Sequence, residues 1–447
     1  MDTPICDFVK EYQERGGLRL HMPGHKGAPF LGVEQLDITE IQGADELYHP
    51  EGIIKKSQEN ASLLFGTGRT LYSTEGSSLC IRAMLYLALL WSKEAGRTPL
   101  VLAGRNAHKT FLSAAALLDF QVEWLYPKEA EGPVSCVIES ENLEERLSSL
   151  PHPPMAVYIT SPDYLGHLSD VASLSRICKK HGVPLIVDNA HGAYLKFLPK
   201  DLHPIALGAD LCCDSAHKTL PCLTGGAYLH ISSSAPALFF QNAERAMRLF
   251  ASTSPSYLIL QSLDRCNLYL SEDYPERLKR LCGRVRQMKD RLSSGGYTLI
   301  GDESLKLTIA AKPYGYTGDA LHDLLRRKRA EFEFSDPDYL TAMLTPENDE
   351  RQLDDLENAL LSVEKRAPVL SSPPTVPKPQ RVMSIRRAML SPAHLLPIDR
   401  AQGSVFADAH FGCPPCVPVI VCGERIDEAA VSALSYYGIR ECAVITE

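Results

Sequence analysis

Between residues 63 and 230, short and almost wholly apolar runs alternate with longer segments of helical periodicity. The runs at 100–103, 122–125, 156–159, 184–187, 209–212 and 227–230 carry few polar positions, which predicts strands buried on both faces. One intervening segment, 170–178, has an acidic start at Asp170 and is stopped by Gly182 and Pro184, the signature of a helix. This alternation predicts an α/β fold, a mostly parallel sheet with helices on its two sides. A charged helical stretch follows over 258–292. From 296 to 363 the order becomes strand (305–311), helix (319–328), strand, helix, as in a small α+β domain. The Pro-rich stretch 368–379 reads as an extended linker, and the Pro-rich core of the last segment, 413–418, as an ordered loop. These changes predict an N-terminal arm (1–30), a large domain (31–290), a small α+β domain (291–367), a linker (368–380) and a C-terminal segment (381–447).

Composition narrows the function. At 447 residues the chain exceeds one ordinary core, and 45% hydrophobic with 23% charged residues is the balance of a soluble globular protein. A net charge of -9 argues against nucleic acid as the main partner. The longest apolar run, 83–91, is too short to span a bilayer, and no basic segment followed by an apolar core opens the chain. The 13 scattered cysteines fit reduced thiols, so a cytoplasmic location is expected.

The most informative chemistry is the pair Asp188 and Lys218. Asp188 ends the run 184–187, and Lys218 lies in Ser215-Ala216-His217-Lys218 just after the run 209–212. Ligands in such sheets sit beyond the carboxyl ends of the strands, where Asp188, His191 and Lys218 all fall. An acid and a lysine at two such ends are what pyridoxal 5'-phosphate (PLP) needs. The lysine holds the aldehyde as a Schiff base, and the acid keeps the ring nitrogen protonated so that the ring accepts electrons from a substrate carbanion. A solvent-facing lysine is the bland alternative for Lys218.

Other residues fit around that pair. Ser73-Thr74-Glu75-Gly76-Ser77-Ser78 precedes a helical run, and backbone N–H groups with the hydroxyls of Ser77 and Ser78 make a phosphate cradle. Alone, such a serine is usually just a helix cap. His108 follows the run 100–103; it is placed either to stack on the pyridine face and move a proton or merely to cap a helix. Ser215 and His217 lie within reach of the phosphate, with turn capping the alternative for Ser215. The histidines of His21-Met22-Pro23-Gly24-His25-Lys26 lack a nearby cysteine pair, so an ordered arm is favoured there over a metal site.

These motifs together resemble the bacterial ornithine/lysine/arginine decarboxylase family of fold type I (aspartate aminotransferase-like) PLP enzymes. The resemblance begins with His21-Met22-Pro23-Gly24-His25-Lys26-Gly27 and Asp37-Ile38-Thr39-Glu40. It continues through His49-Pro50-Glu51-Gly52, Arg105-Asn106-Ala107-His108-Lys109, Ser161-Pro162-Asp163-Tyr164 and Asp188 with Ala190-His191-Gly192. It closes with Ser215, His217-Lys218-Thr219-Leu220-Pro221 and Ser252-Thr253-Ser254-Pro255. The length resembles the short branch of that family.

The resemblance implies a seven-stranded large-domain sheet followed by a small domain and a C-terminal segment. It implies Lys218 as the Schiff-base lysine, Asp188 at the ring nitrogen, His108 on the ring face and His191 near the phenolic oxygen. Ser77, Ser78, Ser215 and His217 would serve the phosphate. Thr253 or Ser254 would reach the phosphate of a neighbouring subunit, making the active unit a homodimer or a multiple of one with shared sites. The chain departs from the family at Glu75, Leu79, Cys80 and Ile81 of the phosphate loop and at Cys413-Pro414-Pro415-Cys416, which bears on the substrate pocket. The cysteines there read as substitutions on a structural loop.

The function expected is PLP-dependent decarboxylation of arginine, lysine or ornithine, giving a di- or polyamine and CO2. Catalysis is expected to fall to Lys218, His108 and His217. A fold type I aminotransferase or lyase, or a non-catalytic PLP-binding homologue, shares the same Asp/Lys core and is separated from it by product analysis.

Overall fold

The structure, a computed structural model, describes residues 1–128, 132–375, 377–409 and 417–445. Its main sheet comprises β1 (Arg69–Ser73), β2 (Thr98–Gly104), β3 (Gln121–Leu125), β4 (Pro154–Thr160), β5 (Leu185–Asp188), β6 (Leu211–Asp214) and β7 (Ala227–Ile231). The order is β1-β7-β6-β5-β4-β2-β3. Pairing of β2 with β3 and of β5 with β6 is parallel, while β7 runs antiparallel to both β6 and β1.

The six apolar runs fall on β2 to β7. β1 was not expected, because its sequence, Arg-Thr-Leu-Tyr-Ser, carries polar residues that are nonetheless buried: Thr70 Oγ1 bonds His230 Nδ1 at 2.9 Å across the pair. β6 begins later than expected, at Leu211. The preceding Asp210 instead turns its carboxylate to accept the Leu185 N–H at 2.8 Å. The helices Gly76–Glu94 and Val171–Lys180 stand where the periodicity put them. The stretch 258–292 proves to be two helices, Tyr257–Ser271 and Tyr274–Ser294.

A second, antiparallel sheet joins β8 (Thr298–Ile300), β9 (Lys306–Ala310), β10 (Phe334–Ser335) and β11 (Tyr339–Met343) in the order β10-β11-β9-β8. Helices Gly318–Arg326 and Glu350–Leu361 accompany it. The described residues of 368–379 form neither helix nor strand. In the last segment β12 (Ala393–Pro397) pairs antiparallel with β13 (Glu441–Ile445). The Cys413–Cys416 loop lies outside the described residues. Among the described residues no helix is long and apolar enough to cross a membrane.

The chain divides into two compact units, the first formed by Met1–Pro99, Leu150–Tyr158 and Val171–Leu278, the second by Leu100–Ser149, Ile159–Asp170 and Lys279–Glu447. Asp188, Lys218 and the serines of the expected phosphate cradle all belong to the first.

Within that first unit, one buried acid ties the N-terminal arm down. Asp264 Oδ2 accepts the backbone N–H groups of Ile5 and Cys6, each at 3.0 Å, at the start of the helix Pro4–Glu14. Its Oδ1 accepts the Ser57 hydroxyl at 2.5 Å. The carboxylate thus satisfies donors that a helix N-terminus cannot satisfy internally. Asp264→Ala strands those donors in a dry site and should lower the unfolding free energy by about 2–4 kcal/mol in urea titration. A loss within about 0.5 kcal/mol of zero would show that the arm is not held by this carboxylate.

Candidate active site

β5 and β6 are short, apolar strands that each end in aspartate, Leu-Ile-Val-Asp and Leu-Cys-Cys-Asp, with all eight residues buried. Their parallel register sets Asp188 opposite Cys213, so Asp214 lies one residue further on. Two buried carboxylates are therefore carried to the same edge of the sheet, in different surroundings.

Asp214 is hydrogen-bonded from within. Its Oδ2 accepts from His203 Nε2 and His230 Nε2, both at 3.1 Å, and its Oδ1 accepts the Asn189 side-chain amide at 2.7 Å. The Ile205 N–H points at His203 Nδ1 from 3.4 Å, which leaves the His203 ring proton on Nε2, facing Asp214. Burial works against the charge of Asp214, but the two imidazoles outweigh it and hold the carboxyl well below the usual range. The three groups are fully buried and brought close enough to surround an ion, yet the hydrogen bonds already account for them.

Asp188 is held by neutral donors. The Tyr158 hydroxyl donates to Oδ2 at 3.0 Å, the Ala190 N–H to Oδ1 at 3.2 Å, and the Cys213 thiol to Oδ1 at 3.6 Å. Burial raises its proton affinity above that of an ordinary aspartate, and these donors together with the Lys218 charge only partly offset it. Such a carboxylate has acceptor capacity and negative charge to offer a cationic N–H group.

Lys218 follows β6 in the short helix Ala216–Thr219 and is half-buried. Its Nζ donates to His191 Nε2 at 2.9 Å, so the lysine and the expected histidine meet. Ser215, which precedes that helix, donates its hydroxyl to Ser77 Oγ at 2.7 Å. Ser77 and Ser78 occupy the first turn of the helix Gly76–Glu94, whose start is pinned by the Gly76 N–H on Gly225 O at 2.7 Å. A Cβ at Gly225, where φ is +99, would stand 2.8 Å from Thr74 O, so only glycine permits that approach. Hydroxyls from two elements thus converge over a helix N-terminus, a setting that favours an anion.

The remaining expected residues are placed as follows. His217 Nδ1 donates to Gly226 O at 3.0 Å. His108, in the second unit, caps the helix Lys109–Leu118, its Nδ1 accepting the Thr110 N–H at 3.2 Å. Thr253 and Ser254 are exposed in the turn after the helix Ala237–Phe250, and the Ser252 N–H beside them donates to Glu75 Oε1 at 2.7 Å. The Glu75 carboxylate, unexpected in a phosphate loop, is engaged by that N–H. The pattern gave no sign of Tyr158, Cys213, His203 or His230 as site neighbours. The one available signal was that two adjacent apolar strands both end in aspartate.

The chemistry of this donor set fits PLP: an amine, a buried carboxylate held by neutral donors, and hydroxyls at a helix N-terminus. Comparison with known proteins agrees. Residues 3–300 match the Orn/Lys/Arg decarboxylase major domain. The chain is 30% identical over 467 aligned positions to the uncharacterized protein YaaO of Bacillus subtilis (strain 168), covering 97% of this chain and 94% of that one. It is 27% identical over 464 positions to an arginine decarboxylase of the same organism, covering 96% and 92%. Among solved structures, the lysine decarboxylase LdcF of Francisella novicida superposes with a TM-score of 0.80 at 16% identity, over 99% of this chain and 81% of that one, which supports the fold. With the Asp/Lys pair on its strand ends and a family match over most of its length, the chain belongs to the Orn/Lys/Arg decarboxylases, a family of PLP-dependent enzymes that act on basic amino acids.

Proposed function

We propose that this chain binds PLP at Lys218 and decarboxylates a basic amino acid, arginine, lysine or ornithine, to the corresponding amine. The observation that carries the proposal is the contrast between the two strand-end acids: Asp214 is matched by its own histidines, whereas Asp188 is buried among neutral donors with Lys218 nearby. Pairs of acids whose environments push their proton affinities apart are a mark of functional sites.

When bound, PLP supplies an electron sink for the pair left at Cα, and a protonated ring nitrogen deepens that sink. Asp188 is the residue to hold a proton on that nitrogen. Lys218 would hold the aldehyde carbon and, once released by substrate, is a proton carrier. His191, whose Nε2 accepts from Lys218 Nζ, orients that amine. Ser77, Ser78 and Ser215 would hold the phosphate, with His217 beside them. His108 on the ring face rests on the family resemblance. In the reaction the Cα–carboxylate bond breaks, CO2 leaves, and a proton replaces it at Cα, with Lys218 or His217 as donor.

We further propose that the chain works as a homodimer, or a multiple of one, with the large domain, small domain and C-terminal segment divided as the sequence pattern predicts. Leu18, Leu20 and Phe30 in the arm, and Leu31 just after it, are more than 80% exposed, an apolar surface that a second copy would cover. Thr253 and Ser254 are exposed, which supports their donation to another subunit.

Incubating the PLP-loaded protein with a panel of amino acids should release CO2 and an equal amount of amine from arginine, lysine or ornithine, without any keto-acid acceptor. Transfer of the amino group to a keto acid, or a cofactor adduct with no product from any amino acid, would contradict the proposal. Sharing of sites has its own test. Mixing inactive Lys218→Ala protein with an inactive Thr253→Ala, Ser254→Ala double variant should restore activity, because in a mixed dimer one site inherits both defects and the other neither. A monomer with full activity would rule out the shared site.

A further inference from the structure

Tyr158 lies in the middle of β4, in the run Pro-Met-Ala-Val-Tyr-Ile-Thr, and its side chain is fully buried. For filling a core, phenylalanine would serve as well at that position; the hydroxyl adds a polar group that must find a partner in a dry environment. Here the partner is Asp188 Oδ2, 3.0 Å away on the neighbouring strand. On the other side, Cys213 of β6 reaches Oδ1 at 3.6 Å. The carboxylate is thus gripped laterally from β4 and β6, while the Ala190 N–H fixes it along its own chain.

We infer that Tyr158 is a positioning residue for decarboxylation, holding the Asp188 carboxylate ionised and aimed at the cofactor's ring nitrogen. The inference deepens the proposed function and rests on PLP occupying this site. Burial and the neighbouring carboxylate keep the Tyr158 proton on its oxygen far above neutral pH, so the hydroxyl acts only as a donor. Donation to the charged form of an acid favours that form. The titratable groups around Asp188 include Tyr158 from β4, Cys212 and Cys213 from β6, Cys80 from the helix Gly76–Glu94, and Lys218 with its partner His191. Burial raises all three thiols, leaving Lys218 as the cation of this set and Tyr158 as its nearest oxygen donor to the carboxylate.

The sign follows directly. Removing the hydroxyl raises the proton affinity of Asp188, so that as pH falls the carboxyl takes its proton earlier and its hold on a charged ring nitrogen is lost earlier.

The experiment compares wild type, Tyr158→Phe, Asp188→Asn and the double variant, each loaded with PLP. The readouts are the ring-nitrogen NMR shift of isotopically labelled PLP across pH, and steady-state kcat and KM. Tyr158→Phe is expected to raise the acid-side midpoint by about one pH unit and to lower kcat about tenfold with KM within about twofold. In the Asp188→Asn background the same change should leave the ring-nitrogen titration unmoved and kcat and KM within about twofold, because the group through which Tyr158 acts is gone. An unchanged midpoint in Tyr158→Phe, or the same loss in both backgrounds, would overturn the inference in favour of simple packing, as would failure of Tyr158→Phe to fold. The NMR titration needs no turnover, so it separates the two claims. A wild-type protein that binds no PLP ends both, whereas a loaded wild type indistinguishable from Tyr158→Phe ends only this one.

Discussion

A negative charge buried at the end of β5 is the constraint around which the first unit is organised. Asp188 is almost wholly removed from water, which disfavours its charged form, and its oxygens are held by neutral donors. A carboxylate in that position persists because its oxygens are hydrogen-bonded and because a cation can be supplied. The sheet provides the first condition through Tyr158, Cys213 and the Ala190 N–H. Lys218, and in the proposed function the cofactor's nitrogen, provide the second.

Asp214 shows why this arrangement is specific. It ends the adjacent strand, is equally buried, and accepts hydrogen bonds inside the protein from His203 and His230. Its other oxygen grips the side chain of Asn189, the residue that follows Asp188. Asp214 therefore braces the segment that presents Asp188. From Asp214 the chain passes directly to Ser215 and Lys218, so this brace also stands at the root of the lysine. Rigid strand ends carrying a precisely held carboxylate and amine are what a cofactor-dependent reaction asks of its protein.

Much of this was legible in the sequence because buried parallel strands advertise themselves as continuous apolar runs. The positions of Asp188, His191 and Lys218 beyond such runs marked the candidate site, and the serine-rich turn before the helix Gly76–Glu94 marked its candidate anion end. β1 escaped because Thr70 and Ser73 are polar yet buried, each satisfied by a hydrogen bond that no periodicity reports. Tyr158 escaped for the opposite reason. Inside an apolar strand it reads as core, and only the cross-strand register shows that its hydroxyl meets a carboxylate. His203 lies in an irregular segment and His230 at the end of an apolar run, so their meeting at Asp214 is purely tertiary.

The central claim is that Lys218 is the attachment point for PLP at the site Asp188 defines. Reduction of the PLP-loaded protein with borohydride, followed by proteolysis and mass mapping, tests it most directly. The pyridoxyl mass is predicted on the peptide containing Lys218. A label on any other lysine, or no covalent label on a protein that retains PLP, would contradict the account.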